Sequence, residues 1–408
     1  MNSLRSLYIL MLCLSLMFMG TGCWDQVELN RASLITGMAL EPGQNMKYRV
    51  TFETVNALET DPNKGGKGGT PTALYTKEGN SIAEATSRLN ESLERMPLLA
   101  HIRVIIIDEK LAREGINQFM DVLQRNRYVR EDVLVLVAKG YPASDFLKTV
   151  YARGQYASYK IQTQVETYRQ VFGGIPRSHL YDIAQALLTE GRVLMLGAIT
   201  ISGDVEKSES LDAIKTVYPA AVVRTAGAAV FRGDKLIGYL SNEQTRMVML
   251  ASDYVSNTLF SLPGPGGKPT SPGAIGVQFY HMHSHMHVSM DGDKPIFKLH
   301  VEGDGKITSI DRNIKLTKIQ GFNTVEQLTS DYVNEKMQET FTYVQKEFGV
   351  DVFGFGEHYY RYHFRKYKPL AKEWNTLFSR ADLDVKSDFT LRRPDLKTQK
   401  IEKEGIGP

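Results

Sequence analysis

Two runs, HIRVIII at residues 101–107 and VLVLV at residues 133–137, decide how this chain is read. Each reads as a strand and carries an unbroken apolar stretch, the pattern of a strand buried on both faces. Between them Ile116, Phe119, Met120 and Leu123 recur at helical spacing and give a helix one apolar side. Unalternating strands separated by amphipathic helices imply a mixed α/β (α+β) fold for about residues 24–150.

Toward the N-terminus, Ser81 with Glu84 forms a capping box. Ile82, Ala85, Leu89, Leu93 and Met96 mark the helix it opens, which Pro97 stops. Residues 61–72, DPNKGGKGGTPT, have no apolar period and read as a flexible loop. Tyr48, Val50 and Phe52 alternate with Arg49, Thr51 and Glu53 as in a half-buried strand. Residues 24–38 look helical.

Toward the C-terminus, residues 151–189 are mixed and read as a helical linker, with a helix over 179–189. Residues 193–201 read as a strand and 228–240 as a hairpin turning at Arg232, Gly233, Asp234 and Lys235. Ser241 with Gln244 caps a helix to about Ser252. The Pro- and Gly-rich stretch 263–274 separates a small middle unit, 190–262, from a last unit, 275–395. That unit opens with strands over 275–288 and 295–302. A long helix follows, capped by Thr324 with Gln327 and ended by Gly349, and a strand over 383–391 closes the unit. Residues 396–408 read as a flexible tail.

The first 22 residues stand apart. Arg5 precedes twelve mostly apolar residues, 7–18, and then Gly20, Thr21 and Gly22 lead to Cys23. Twelve residues are too few to span about 30 Å of hydrocarbon, so the run reads as a signal peptide. Small residues ending in cysteine suggest a lipoprotein signal, with Cys23 as the acylated first residue. Position −3 is Gly20, where such signals usually carry an aliphatic residue. The alternative is an ordinary or uncleaved secretory signal with an incidental cysteine.

Removing that signal takes away Arg5 and leaves 48 basic against 46 acidic residues, too balanced to predict nucleic acid or a strongly charged partner. It also removes Cys13. With Cys23 acylated no thiol remains, so packed cores rather than disulfides must hold the fold.

His281, His283, His285 and His287 are spaced to project from one strand face, and neutral imidazoles there could share a metal ion or titrate near pH 6.5. No cysteine lies nearby, so a solvated strand face is the preferred reading and no metal site is assigned. Arg232-Gly233-Asp234 sits where a hairpin needs a polar turn. The Gly- and Lys-containing loops lack the G-x-x-x-x-G-K-[ST] spacing. Gly354-Phe355-Gly356 lacks a dinucleotide fingerprint's third glycine and reads as a tight turn. Tyr359, Tyr360, Tyr362, Phe364 and Tyr367 interleave with Arg361, Arg365, Lys366 and Lys368, as an amphipathic segment or an interface does. No H-E-x-x-H, G-x-S-x-G or C-x-x-C follows Cys23, so no catalytic residue and no cofactor is assigned.

Several separated stretches together resemble one family, the Ger(x)C lipoproteins, C subunits of the nutrient germinant receptors of spore-forming bacteria. They are Gly22-Cys23-Trp24-Asp25 with Glu28-Leu29, and Ile35-Thr36-Gly37-Met38-Ala39. Glu78-Gly79-Asn80-Ser81 and the run from Ile106 to Ile116 follow. Ala228 to Gly238 with Thr245-Arg246, then Asp351 to Glu357 and Trp374, complete the set. The resemblance spans nearly the whole chain in order. It implies a three-domain, extracytoplasmic mixed α/β lipoprotein with mixed sheets and packed helices, acylated on Cys23 at the outer face of the spore inner membrane. It further implies assembly with integral-membrane A and B subunits, with no enzymatic activity and no nucleic-acid partner. A solute-binding lipoprotein of a transporter is the alternative, and a tethered surface hydrolase a third.

Overall fold

The computed structural model describes residues 31–56, 70–149, 156–264, 273–311, 314, 316 and 318–392, with residues 5, 6 and 11. Cys23, most of the signal stretch, residues 61–69, the tail and most of the Pro- and Gly-rich linker lie outside the described residues.

Thirteen strands are described: β1 (Ala32–Pro42), β2 (Tyr48–Val55), β3 (Thr72–Gly79), β4 (Met96–Leu98), β5 (Val104–Ile107), β6 (Leu134–Ala138), β7 (Met195–Gly203), β8 (Ala221–Arg232), β9 (Lys235–Leu240), β10 (Thr258–Leu262), β11 (Ile275–Asp291), β12 (Lys294–Ile310) and β13 (Asp382–Leu391). They form a nine-stranded sheet in the order β3-β2-β1-β5-β6-β7-β8-β9, with β4 beside β1, and a four-stranded sheet β10-β11-β12-β13. The fold is mixed α/β, as the sequence implies. In the large sheet β1, β5, β6 and β7 run parallel, and antiparallel pairs flank them on both sides.

The two opening runs are the parallel centre. Ile105 and Ile107 of β5, with Val135 and Val137 of β6, face a core shared with the Ile82–Arg88, Glu109–Glu114, Asn117–Arg125 and Leu180–Leu188 helices. Val104, Ile106, Leu134 and Leu136 face a second core, under the Asp145–Lys148 and Ala157–Val171 helices. A strand covered on both faces has no polar side to show, hence the unbroken apolar runs.

The third core lies between the small sheet, the Asn242–Ala251 helix and the Ile319–Glu347 helix. That last helix has 29 residues, a rod about 44 Å long. Residues 245–251 are all buried, because their helix is wedged between the two halves of the molecule.

Several expectations are corrected. The stretch expected as a helix over 24–38 is strand β1 from Ala32, because β2 and β5 supply hydrogen-bonding edges on both its sides. The helix opened by Ser81 ends at Arg88 with a 3-10 turn to Glu91, and Met96–Leu98 turns away to pair with Ala32–Leu34. Thr324 does not cap the long helix, which starts at Ile319. Its hydroxyl donates to the Gln320 carbonyl at 2.8 Å, the mid-helix alternative open to any Thr. Residues 151–189 are more than a linker, since the Ala157–Val171 helix seats Ile161 and Val165 on the large sheet. Residues 190–262 have no sheet of their own among the described residues. Their strands β7, β8 and β9 extend the large sheet, because β7 pairs parallel with β6 through Leu136↔Gly197.

Other local signals agree with the structure. Ser241 and Gln244 form a reciprocal capping box. The hairpin turns at residues 232–235, with Gly233 at φ 60°. Gly349, at φ 57°, ends the long helix by donating its N–H to the Val344 carbonyl.

Candidate functional site

A cleft of about 540 Å³ opens where the large sheet, the buried helix and the small sheet meet. The first wall carries Arg169 and Arg177, with Asp182 and Gln185 from the Leu180–Leu188 helix. A second is the chain leading into β7, from Arg192 to Leu196. Asp253 and His285 line a third side, and residues 351–354 with Glu357, His358 and Arg361 complete it.

The walls hold both signs of charge. Arg177 forks onto Asp182, with Nε to Oδ2 and Nη2 to Oδ1 both at 3.1 Å. Burial pushes the Asp182 carboxyl up, but hydrogen bonds from His179 and the charge of Arg177 outweigh it and hold it below the usual carboxylate range. Arg361 pairs with Glu357, and Arg192 lies 3.8 Å from the same carboxylate. Burial, with the neighbouring His287, His363 and Arg361, keeps the His358 imidazole below its ordinary range. Asp253 has left-handed backbone at φ 59°, and its Oδ1 accepts the Ser284 N–H at 2.9 Å. Ser252 Oγ bonds the Val248 and Phe353 carbonyls at 3.0 and 2.9 Å, fastening the buried helix to the 351–356 loop. The cleft therefore suits a small polar molecule bearing both charges, or a segment of another chain.

The residues singled out from the sequence fall in separate places. Cys23 lies outside the described residues. His283, His285 and His287 are exposed on one face of β11, as their spacing requires. His281 sits on a bulge between Tyr280 and His283, with φ 53°. Their near neighbours are acids, Asp253 at 3.6 Å from His283 and Glu302 at 3.6 Å from His285. Among the described residues no group of three or more His, Cys, Asp or Glu could hold a metal ion. The Arg232-Gly233-Asp234 turn is pinned on two sides. Arg232 donates to the Phe348 carbonyl at 2.6 Å, and the Asp234 carbonyl accepts the Ile116 N–H at 3.0 Å.

Among the buried charges that sequence reasoning did not find, Glu53, Asp351 and Arg246 tie elements together. Glu53, expected on the exposed side of its strand, is fully buried, because the Ala157–Val171 helix covers that side. Its carboxylate accepts the N–H groups of Ala157 at 2.8 Å and Ser158 at 3.2 Å and the Thr36 hydroxyl at 2.9 Å. Asp351 is buried inside the tight turn. Its Oδ1 accepts the Gly354 N–H at 3.0 Å, and its Oδ2 accepts the Gly356 N–H at 2.6 Å and the Trp374 indole N–H at 2.9 Å. A lone acid among Val, Phe and Gly was the signal available for Asp351. Glu53 offered none.

Arg246 is the third. Its guanidinium lies 4.4 Å from the Phe172 ring centroid and 4.5 Å from that of Phe260, donates to the Leu259 carbonyl at 2.8 Å, and meets Glu243 at 3.2 Å. It thus joins the end of the Ala157–Val171 helix to β10 of the other sheet. Arg246→Ala is expected to lower stability by about 2–3 kcal/mol, from the lost desolvated cation–π contact and the orphaned carbonyl. Arg246→Met, which keeps the packing, should recover part of that in urea unfolding.

Comparison with known proteins bears on the whole chain. Residues 25–201 match the family model of the spore germination protein N-terminal domain. Residues 226–395 match that of the spore germination B3/GerAC-like C-terminal domain. Spore germination protein KC of Bacillus subtilis (strain 168) is 22% identical over 386 residues, covering 93% of this chain and 94% of the relative. Spore germination protein B3 of the same organism is 21% identical over 380 residues, covering 91% and 93%. The crystal structure of the GerBC protein aligns with a TM-score of 0.52 at 15% identity over 87% of this chain and 96% of that one, a likeness of fold. The first family match ends within β7 and the second begins within β8, so the break between them falls inside the large sheet. With both family models in order along one fold, the chain belongs to the Ger(x)C family of spore germination proteins.

Proposed function

We propose that this chain is the lipid-anchored, non-enzymatic C subunit of a spore nutrient germinant receptor, assembling with integral-membrane A and B subunits to trigger germination. The observation that carries the reading is the pair of family matches over 25–201 and 226–395. Cys23 supplies the anchor, acylated and held at the outer face of the spore inner membrane. No helix among the described residues is long and apolar enough to cross a membrane. One acyl chain binds only marginally at about 0.8 kcal/mol per buried methylene, so stable anchoring needs two or more. Cys23→Ala is expected to abolish acylation, read by mass spectrometry of the N-terminus, and to weaken or remove the spores' response to at least one nutrient. Normal anchoring and germination in that strain would refute the reading.

The cleft favours a second reading, a solute-binding lipoprotein serving a transporter. Its mixed-charge walls suit a small zwitterion. Under this reading a panel of free amino acids contains one that raises the melting temperature of the protein, and Arg177→Ala reduces that shift. A panel without effect leaves the cleft to protein contact.

A further inference from the structure

The segment from Arg361 to Lys368 combines a buried anchor with exposed aromatic and basic side chains. Its Tyr367, with Tyr359, is buried against Trp374, ring centroids 5.3 and 5.9 Å away, so the backbone is held firmly. Between these anchors, residues 361–366 are all exposed. Tyr362 is 70% exposed and Phe364 48%. Arg361, Arg365, Lys366, Lys368 and Lys372 stand against a single acid, Glu373, between positions 361 and 374. Glu357, the acid just before them, is occupied by Arg361 and Arg192. Lys368 lies 5.8 Å from the Phe364 ring centroid, so cation and aromatic share one face. Rigidly held aromatics beside unbalanced lysine and arginine match a bilayer interface with anionic headgroups.

The topology puts this face where the chain enters the fold. β1, β5, β6 and β7 are parallel, so the starts of β1 and β7 lie at one edge of the large sheet. Ala32 precedes the level of Gly37 and Val104 by five residues, and Gly191 precedes Met195 by four. A Cβ on Gly191 would lie 2.7 Å from the Gly356 carbonyl carbon and 2.8 Å from the Tyr367 hydroxyl. The basic aromatic segment therefore flanks the edge at which β1 begins. Three strand spacings separate β1 from β7, about 15 Å. The nine steps from Cys23 to Ala32 reach at most about 30 Å.

From this placement we propose that the Arg361–Lys368 segment is a second membrane contact, which seats on an anionic lipid surface and fixes the orientation of the chain. The proposal rests on the reading of Cys23 as the lipid anchor for its geometry, and on its own charge for its affinity.

The test uses the acylated full chain with Tyr362→Cys as a labelling site, since Cys13 leaves with the signal and Cys23 is capped. Val217→Cys is the comparison position. Val217 is 94% exposed and follows the end of β7, at the opposite edge of the sheet. On phosphatidylserine-containing vesicles carrying a lipid-borne quencher, the label at 362 should be quenched and the label at 217 should not. The combined change Arg365→Glu, Lys366→Glu and Lys368→Glu should cut the quenching at 362 on the order of tenfold, as should pure phosphatidylcholine. Equal quenching at both positions, none at 362 in an acylated chain, or indifference to charge reversal would overturn the proposal. N-terminal mass is scored separately. An unacylated chain would overturn the Cys23 reading, and quenching at 362 that survived in it would support the surface contact on charge alone.

Discussion

Asp351→Ala is expected to lower the unfolding free energy by about 3–5 kcal/mol, the loss that follows when one partner of a buried, hydrogen-bonded charge is removed. The carboxylate is the common acceptor for the Gly354 and Gly356 N–H groups and the Trp374 indole, and alanine leaves all three donors facing apolar surroundings. Phe353 and Phe355, fully buried on either side of Gly354, leave no route for water to replace it. Asp351→Asn should fall between, because an amide keeps one acceptor oxygen and turns its NH2 toward donors. The measurement is urea unfolding followed at the tryptophan emission. An alanine variant within about 1 kcal/mol of wild type would show that the turn holds without its carboxylate. The loss should also reach the surface, since the Phe355–Tyr362 helix begins at this turn and leads into the basic aromatic segment.

Glu53→Ala should cost a similar amount, about 3–5 kcal/mol, through the other half of the molecule. Its oxygens cap the first two N–H groups of the Ala157–Val171 helix from strand β2, satisfying groups the helix cannot satisfy itself. The pH dependence has a definite sign. Burial raises the Glu53 carboxyl, against the opposing hydrogen bonds of Ser158, Thr36 and Ala157. In the window between the unfolded carboxyl value, about 4.3, and the higher folded value, the native state binds more protons than the unfolded chain. The stability linked to this group is thus fully present below the unfolded value and is lost as pH rises through the folded value. Relative to Glu53→Gln, the wild type should therefore gain stability as pH falls through that window. Urea midpoints of the two proteins that stay parallel across pH 4–7 would contradict this.

Legibility differed by residue for physical reasons. The caps at Ser81 and Ser241 and the turn at Gly233 were readable because donor, acceptor and backbone angle lie within a few residues of each other. The β5 and β6 runs were readable because burial on both faces leaves a compositional mark. Helix and strand were confused at residues 32–38, where a run buried on both sides carries no period. Thr324 with Gln327 imitated a cap because that pattern also occurs within helices. His283, His285 and His287 share one face as expected, while His281 departs from the row at a bulge that depends on pairing with β12 and has no local signal.

The site was less legible than the fold. The cleft draws its walls from stretches more than 150 residues apart, from Arg169 to Arg361. Arg246 and Glu53 resemble surface charges in composition, Asp351 shows only its apolar neighbours, and the elements folded over all three bury them.

What the sequence alone determined is the set of elements whose cause is local, together with the balanced charge and the family pattern. Tertiary structure decided the rest. It merged residues 195–240 into the large sheet, sealed Glu53, Arg246 and Asp351 in the interior, and brought the basic aromatic segment to the edge where β1 begins. Strand order and burial are set by which surfaces meet, a free energy shared among distant residues and therefore absent from any one stretch of chain.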